Sequence, residues 1–220
     1  MFERVVTVPV FPTQIWVHEL PEATWRPLND RLAAALAELT GTLPPAKGFK
    51  VWQTDQTLHR YKAFAPLVAI IATAVRGVLD ALAVEERTFE ITGCWANFGL
   101  PGAAHMPHHH ANNFLSGVYY LKAPGGADGI VFHDPRPQRE IIEPAYRTTN
   151  QLNALTHEVK VKTGSLVLFP GWITHSVNPN KGRELRISIS FNVMFSDYAG
   201  TVSRPRWKGM PLSRPPDDEA

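Results

Sequence analysis

The sequence predicts a mainly β fold of jelly-roll type, a β-sandwich or barrel, with helices on its N-terminal side. Three observations predict it. Two stretches before residue 86 repeat apolar residues at helical spacing. After residue 86 apolar residues come in short runs or at every second position. Turns rich in Pro, Gly and Asn separate those runs, and short strands at close spacing favour a sandwich or barrel.

Taken in order, residues 5–11 are β-branched and loosely alternating and read as a first strand, which residues 15–18 extend or pair with. Residues 21–39 read as a helix with Leu28, Leu32, Ala35, Leu36 and Leu39 on one face, stopped by Gly41. Residues 42–60 read as a loop with a strand. A second helix is expected over residues 64–82, where Leu67, Ile70, Ile71, Ala74, Val75, Val78 and Leu82 recur every three to four positions. The expected strands are 88–98, 114–122, 129–132, 158–162, 165–169, 175–177 and 184–193. Helices that precede a run of strands are expected to cover the outside of one sheet. Residues 135–157 lack periodicity, and a loop of that length reads as a lid bordering a cleft. The chain is expected to form one domain over 1–220, with N-terminal support over 1–87, a jelly-roll core over 88–195 and a tail over 196–220 that is poorly ordered at its end.

Composition narrows the function. The 220 residues carry a formal charge of +2 with no basic run, which argues against nucleic acid as a partner. The longest apolar stretch, residues 67–75, reads as too short to span a membrane. Cys94 is the single cysteine, so no internal disulfide forms, and it reads as a small buried hydrophobe. The first residues show no basic region followed by an apolar run, so the expected location is cytoplasmic. A small-molecule or peptide substrate is the expected partner, and a homodimer stays open.

Four of the nine histidines, His105, His108, His109 and His110, fall within six residues. The cluster enters directly into the apolar strand Leu115-Ser-Gly-Val-Tyr-Tyr-Leu121. On a strand, residues i and i+2 face the same side, so His108 and His110 share a face and His109 points away. Two imidazoles aimed at one point suit iron, zinc, copper or nickel. His175 follows a Pro170-Gly171 turn, which a jelly roll can fold back beside the first pair. Eleven residues on, Arg186 and Ser188 share the face of a strand opposite Ile187 and Ile189. A guanidinium on an inner barrel face is costly unless it meets an anion, and a carboxylate fits its fork.

With these residues the chain resembles the iron(II)- and 2-oxoglutarate-dependent oxygenases, and within them a branch found in marine bacteria and phages. The matching segments are Trp95-Ala-Asn97, His108-x-His110, the strand 115–121, Ile130-Val-Phe-His-Asp-Pro-Arg136, Phe169-Pro170, His175 and Arg186-Ile-Ser-Ile-Ser-Phe-Asn192, so the resemblance spans residues 88–195. It implies a double-stranded β-helix, one Fe(II) and a reaction that couples decarboxylation of 2-oxoglutarate to oxidation of a second substrate. It implies His108, His110 and His175 as metal ligands and no catalytic side chain beyond them. It implies Arg186 and Ser188 at the distal carboxylate of 2-oxoglutarate, with Tyr120 or Tyr119 and Asn97 as further contacts. Phe169 and Trp172 would pack around the site.

The wider superfamily carries an acid where this chain has His110. Asp134 from a neighbouring strand, or His109 in place of a neighbour, therefore remain alternative ligands. Two other functions stay open on the same fold: a cupin-type metal-dependent isomerase or dioxygenase, and a non-catalytic small-molecule binder. The cupin reading lacks its expected Glu, since Ala111-Asn-Asn-Phe-Leu115 follows the first histidines.

Overall fold

Successive side chains of a strand point to opposite sides, so a strand apolar on one side and polar on the other joins a core to a cleft. The computed structural model describes residues 2–41, 51–199 and 201, and ten strands there form two sheets. The strands are β1 (Trp16–Glu19), β2 (Val51–Gln53), β3 (Phe89–Gly99), β4 (His105–His108), β5 (Leu115–Lys122), β6 (Gly129–His133), β7 (Thr156–Lys160), β8 (Ser165–Pro170), β9 (His175–Val177) and β10 (Arg186–Phe195). The six-stranded sheet runs β1-β8-β5-β10-β3-β2 and the four-stranded sheet β4-β9-β6-β7. Ladder pairings are antiparallel throughout, the arrangement of a jelly roll.

Two helices, α1 (Glu22–Thr40) and α2 (Ala65–Ala81), cover the outer face of the six-stranded sheet. Leu28, Leu32 and Leu36 of α1 and Leu67, Ile71, Val75 and Val78 of α2 form one core with Phe98, Tyr119, Leu121, Leu166, Leu168, Ile189 and Phe191. Gly41 takes φ 58° at the end of α1 and its amide donates to the Ala37 carbonyl at 3.0 Å, as a helix stop requires. One buried polar tie crosses this core. Asn29 donates to the Leu121 carbonyl at 2.8 Å and accepts from the Tyr119 hydroxyl at 2.7 Å. Between the sheets a smaller cluster holds Val118, Tyr120, Ile130, Phe132, Val167, Phe169 and Ile173.

Several expectations change. Residues 5–11 form no strand: Val5 and Phe11 are 80% and 95% exposed, and Pro9 and Pro12 bring no amide hydrogen for a ladder. The histidine cluster does not run into β5. It opens a separate strand, β4, in the other sheet, paired with β9. Four residues interrupted by Pro107 carry no alternation to read, so pairing alone defines β4. The helical stretch Lys62–Ala81 has a mean hydropathy of 1.7 and is long and apolar enough to cross a membrane, against the shorter expectation. A run broken only by small residues and a few charges serves equally to cover a sheet, which one face of α2 does. The 42–50 part of the expected loop and nearly all of the expected C-terminal tail lie outside the described residues.

Candidate metal centre and cleft

Antiparallel pairing of β4 with β9 sets His108 opposite His175. His110, two residues beyond the end of β4, is held by its own backbone: its amide donates to the Gly171 carbonyl at 2.9 Å. A Cβ on Gly171 would overlap the Asn113 carbonyl and crowd that of His110, so the Pro170-Gly171 turn needs glycine to come this close. The result is a group in which one ligand atom from each of His108, His110 and His175 lies within 4.8 Å of the others. The ring centroids of His108 and His175 are 4.4 Å apart, and that of His110 is 5.2 Å from each.

The protonation pattern suits a metal. His108 Nδ1 donates to the Met106 carbonyl at 2.7 Å and His175 Nδ1 to the Ile173 carbonyl at 3.1 Å. A carbonyl only accepts, so each Nε2 keeps a lone pair for a cation. Burial, then the charge of His108, pushes His175 down to about 3 and His110 down to about 4. Both are neutral imidazoles near neutral pH, the form that ligates. Phe169 packs its ring 4.7 Å from that of His175. Trp172 does not pack around the site and is 55% exposed.

The group lies in a cavity of about 670 Å³ between the sheets. Strand β10 supplies one wall through every second residue, Arg186, Ser188, Ser190 and Asn192. Register sets Ser188 beside Asn97 of β3 and Tyr120 of β5, so all four expected cofactor residues, Arg186, Ser188, Tyr120 and Asn97, line this one cavity. Tyr119 does not; it faces the helices and bonds Asn29. Asn97 is already engaged, accepting from Gln53 at 2.6 Å and donating to Ser190 at 2.9 Å.

Arg186 is 2% exposed, forms no salt bridge among the described residues, and leaves its Nε without a partner. Burial lowers its pKa from the ordinary value and Tyr120 partly opposes this. No Asp, Glu or Lys side chain is among the described residues that line the cavity. A buried guanidinium facing an acid-free cavity is built for an anion from outside the chain.

Asp134 stands apart. Both its oxygens accept from Arg136, at 2.9 and 2.7 Å, Arg139 lies 3.6 Å away, and this pairing holds its carboxyl below the usual range. It also accepts the Arg136 amide at 3.1 Å, closing a local turn, and is absent from the histidine group. His109 lies exposed at the cavity rim rather than in the group. No residue of the expected lid, 135–157, lines the cavity, whereas residues 104–113 do. Trp95, Gln53, Ser190, Asn192 and His105 also line it, unassigned from sequence. The period-two pattern of residues 186–192 was signal enough for Ser190 and Asn192.

A family model described as "Putative 2OG-Fe(II) oxygenase" matches residues 93–192. No curated protein sequence matches the chain. Among solved structures, it is similar to HygX from Streptomyces hygroscopicus with nickel and 2-oxoglutarate bound, at 12% identity, covering 84% of each chain with a TM-score of 0.59. It is similar to a Pseudomonas putida prolyl-4-hydroxylase at 18% identity, covering 83% of this chain and 93% of that one, with a TM-score of 0.57. The non-heme α-ketoglutarate-dependent epimerase SnoN of nogalamycin biosynthesis aligns at 16% identity over 92% and 91% of the chains, TM-score 0.58. These likenesses show the double-stranded β-helix fold. The segment matched by the family model is fewer than half of the 220 residues, and over that segment the chain is similar to the family.

Proposed function

We propose that this chain is an iron(II)- and 2-oxoglutarate-dependent oxygenase whose metal is held by His108, His110 and His175. One observation carries the reading: three imidazoles converge in a cavity that also holds a buried guanidinium with no acidic partner among the described residues. His108, His110 and His175 would hold the metal, the type of site that non-heme iron oxygenases use. When bound, iron and 2-oxoglutarate supply the oxidative decarboxylation, giving succinate and carbon dioxide as the second substrate is oxidised. Arg186 would hold the distal carboxylate, and Ser188 and Tyr120 would add hydroxyl donors beside it. The backbone carbonyls of Met106 and Ile173 orient His108 and His175 and fix which ring nitrogen is free to ligate.

His110 stands where the wider superfamily has an acid, which supports the resemblance to the branch of marine bacteria and phages. Asp134, neutralised by two arginines, is poorly placed to substitute. The cupin reading finds no acidic ligand among the described residues of the histidine group. The test is anaerobic titration of the Fe(II)-loaded protein with 2-oxoglutarate, following the metal-to-ligand charge-transfer band, then succinate release on adding oxygen. A band and succinate are expected. Stoichiometric metal without either outcome moves the chain to the cupin reading.

A further inference from the structure

Besides the three convergent imidazoles and the exposed His109, the cavity is lined by His105, which has no role in the reading above. His105 lines the cavity at the start of β4, opposite Val177 of β9. Its ring stacks at 6.2 Å on that of His108, yet it stands outside the metal-holding group. Neither of its ring nitrogens has a hydrogen-bond partner among the described residues, nor is either sealed away from the cavity.

The two sheets contribute unequally here. Arg186, Ser188 and Tyr120 all belong to the six-stranded sheet. From the strands of the four-stranded sheet the cavity receives Ile130, Val177, the residues of β4 and His175. Apart from the two metal-holding imidazoles, the side chains there are Ile130, Val177, Met106, Pro107 and His105, and only His105 brings an N–H. An ionised carboxylate offers about four lone-pair sites, more than one guanidinium edge fills. A carboxylate between the sheets therefore needs a donor from the second side.

We propose that His105 is a binding residue for the distal carboxylate of the 2-oxo acid, donating an N–H from the side opposite Arg186. The inference rests on the oxygenase reading. An imidazole always carries at least one ring N–H, so His105 has a proton to donate. The bulge in β4 between His105 and His108 lets both rings enter the cavity.

The experiment uses nickel-loaded full-length protein and calorimetric titration with two acids. One is 2-oxoglutarate; the other is 2-oxopentanoate, the same chain without the distal carboxylate. His105→Phe keeps a ring and removes the donor. His105→Asn keeps a donor on a shorter arm. In His105→Phe, affinity for 2-oxoglutarate is expected to fall about tenfold or more, the scale of one charge-assisted hydrogen bond. Affinity for 2-oxopentanoate and nickel stoichiometry are expected to stay as in wild type, and His105→Asn to recover part of the loss. If His105→Phe fails to fold, the same comparison of the two acids is made on His105→Asn alone, with a smaller selective loss expected. Equal 2-oxoglutarate affinity in wild type and the folded variant overturns the proposal. So does a parallel loss for both acids, which marks a structural role. If the wild-type nickel protein binds neither acid, the oxygenase reading itself falls, and this inference with it.

Discussion

The two faces of β10 differ by one residue in sequence and by purpose in structure. Ile189, Phe191 and Val193 point at the helices and are buried to 1% exposure or less. Arg186, Ser188, Ser190 and Asn192 point into the cavity. The outer face is closed: its apolar groups interlock, and its buried polar pair, Asn29 and Tyr119, is satisfied. Gly117 shows how tightly, since a Cβ there would overlap the ring of Phe191. The inner side leaves Arg186 buried without a counter-ion among the described residues, and three imidazoles converge there. Stability is concentrated on one side of the strand and binding capacity on the other, as expected where function stores strain that packing elsewhere compensates.

Four changes test that division. The largest effect is expected from His175→Ala, which removes the buried member of the triad. Stoichiometric iron, measured by metal analysis after desalting, should be lost, while the metal-free protein melts within a few degrees of wild type. Full retention of iron would sink the triad. Phe191→Ala should do the reverse. A fully buried ring removed from the closed face costs about 3–5 kcal/mol in urea unfolding, with metal stoichiometry per folded molecule unchanged. Loss of metal in the folded fraction would show that the two faces are coupled.

Arg186→Met sharpens the contrast within one residue. The 2-oxoglutarate affinity should fall roughly 10- to 100-fold. The metal-free protein should nevertheless unfold at higher urea, because an unpaired buried polar group is replaced by an apolar one of similar length, worth on the order of 1–3 kcal/mol. A drop in both quantities would mean that Arg186 has a structural partner. The smallest effect concerns pH. His110 and His175 have folded pKa values of about 4 and about 3, below the ordinary 6.5. The unfolded chain therefore takes up protons that the folded site refuses. Their contribution to stability is complete above pH 6.5 and is lost as pH falls toward 4 and then 3. Denaturant melts of the metal-free protein should show this decline, and His175→Phe should flatten it; an unchanged slope in the variant would remove His175 as its cause.

Much of this was legible from residue order. The faces of α1 and α2, the stop at Gly41, strands β3, β5, β6, β8, β9 and β10 and the inward set of Arg186 and Ser188 follow from periods of 3.6 and two. The strand assigned to residues 5–11 failed because β propensity without a partner makes no ladder. Strand β4 was invisible because Met106 and Pro107 break any alternation. The lid assigned to 135–157 failed because length and aperiodicity say nothing about where a loop lies. Tyr119 and Tyr120 could not be told apart as cavity residues until β5 had a fixed orientation, since a shift of one residue exchanges the two faces.

The sequence by itself determined the layers and named the chemistry: imidazoles in a cluster, a distant histidine after a Pro-Gly turn, and an arginine on an otherwise apolar strand. These are local facts, written in residue type and spacing. The tertiary structure alone decided which histidines meet, that Asp134 is occupied by Arg136 and Arg139, and that His105 faces the same cavity as Arg186. Those outcomes depend on the register between β4 and β9 and on how the two sheets stack. Register is fixed by pairing across more than sixty residues of intervening chain, from His108 to His175, and no local pattern carries it.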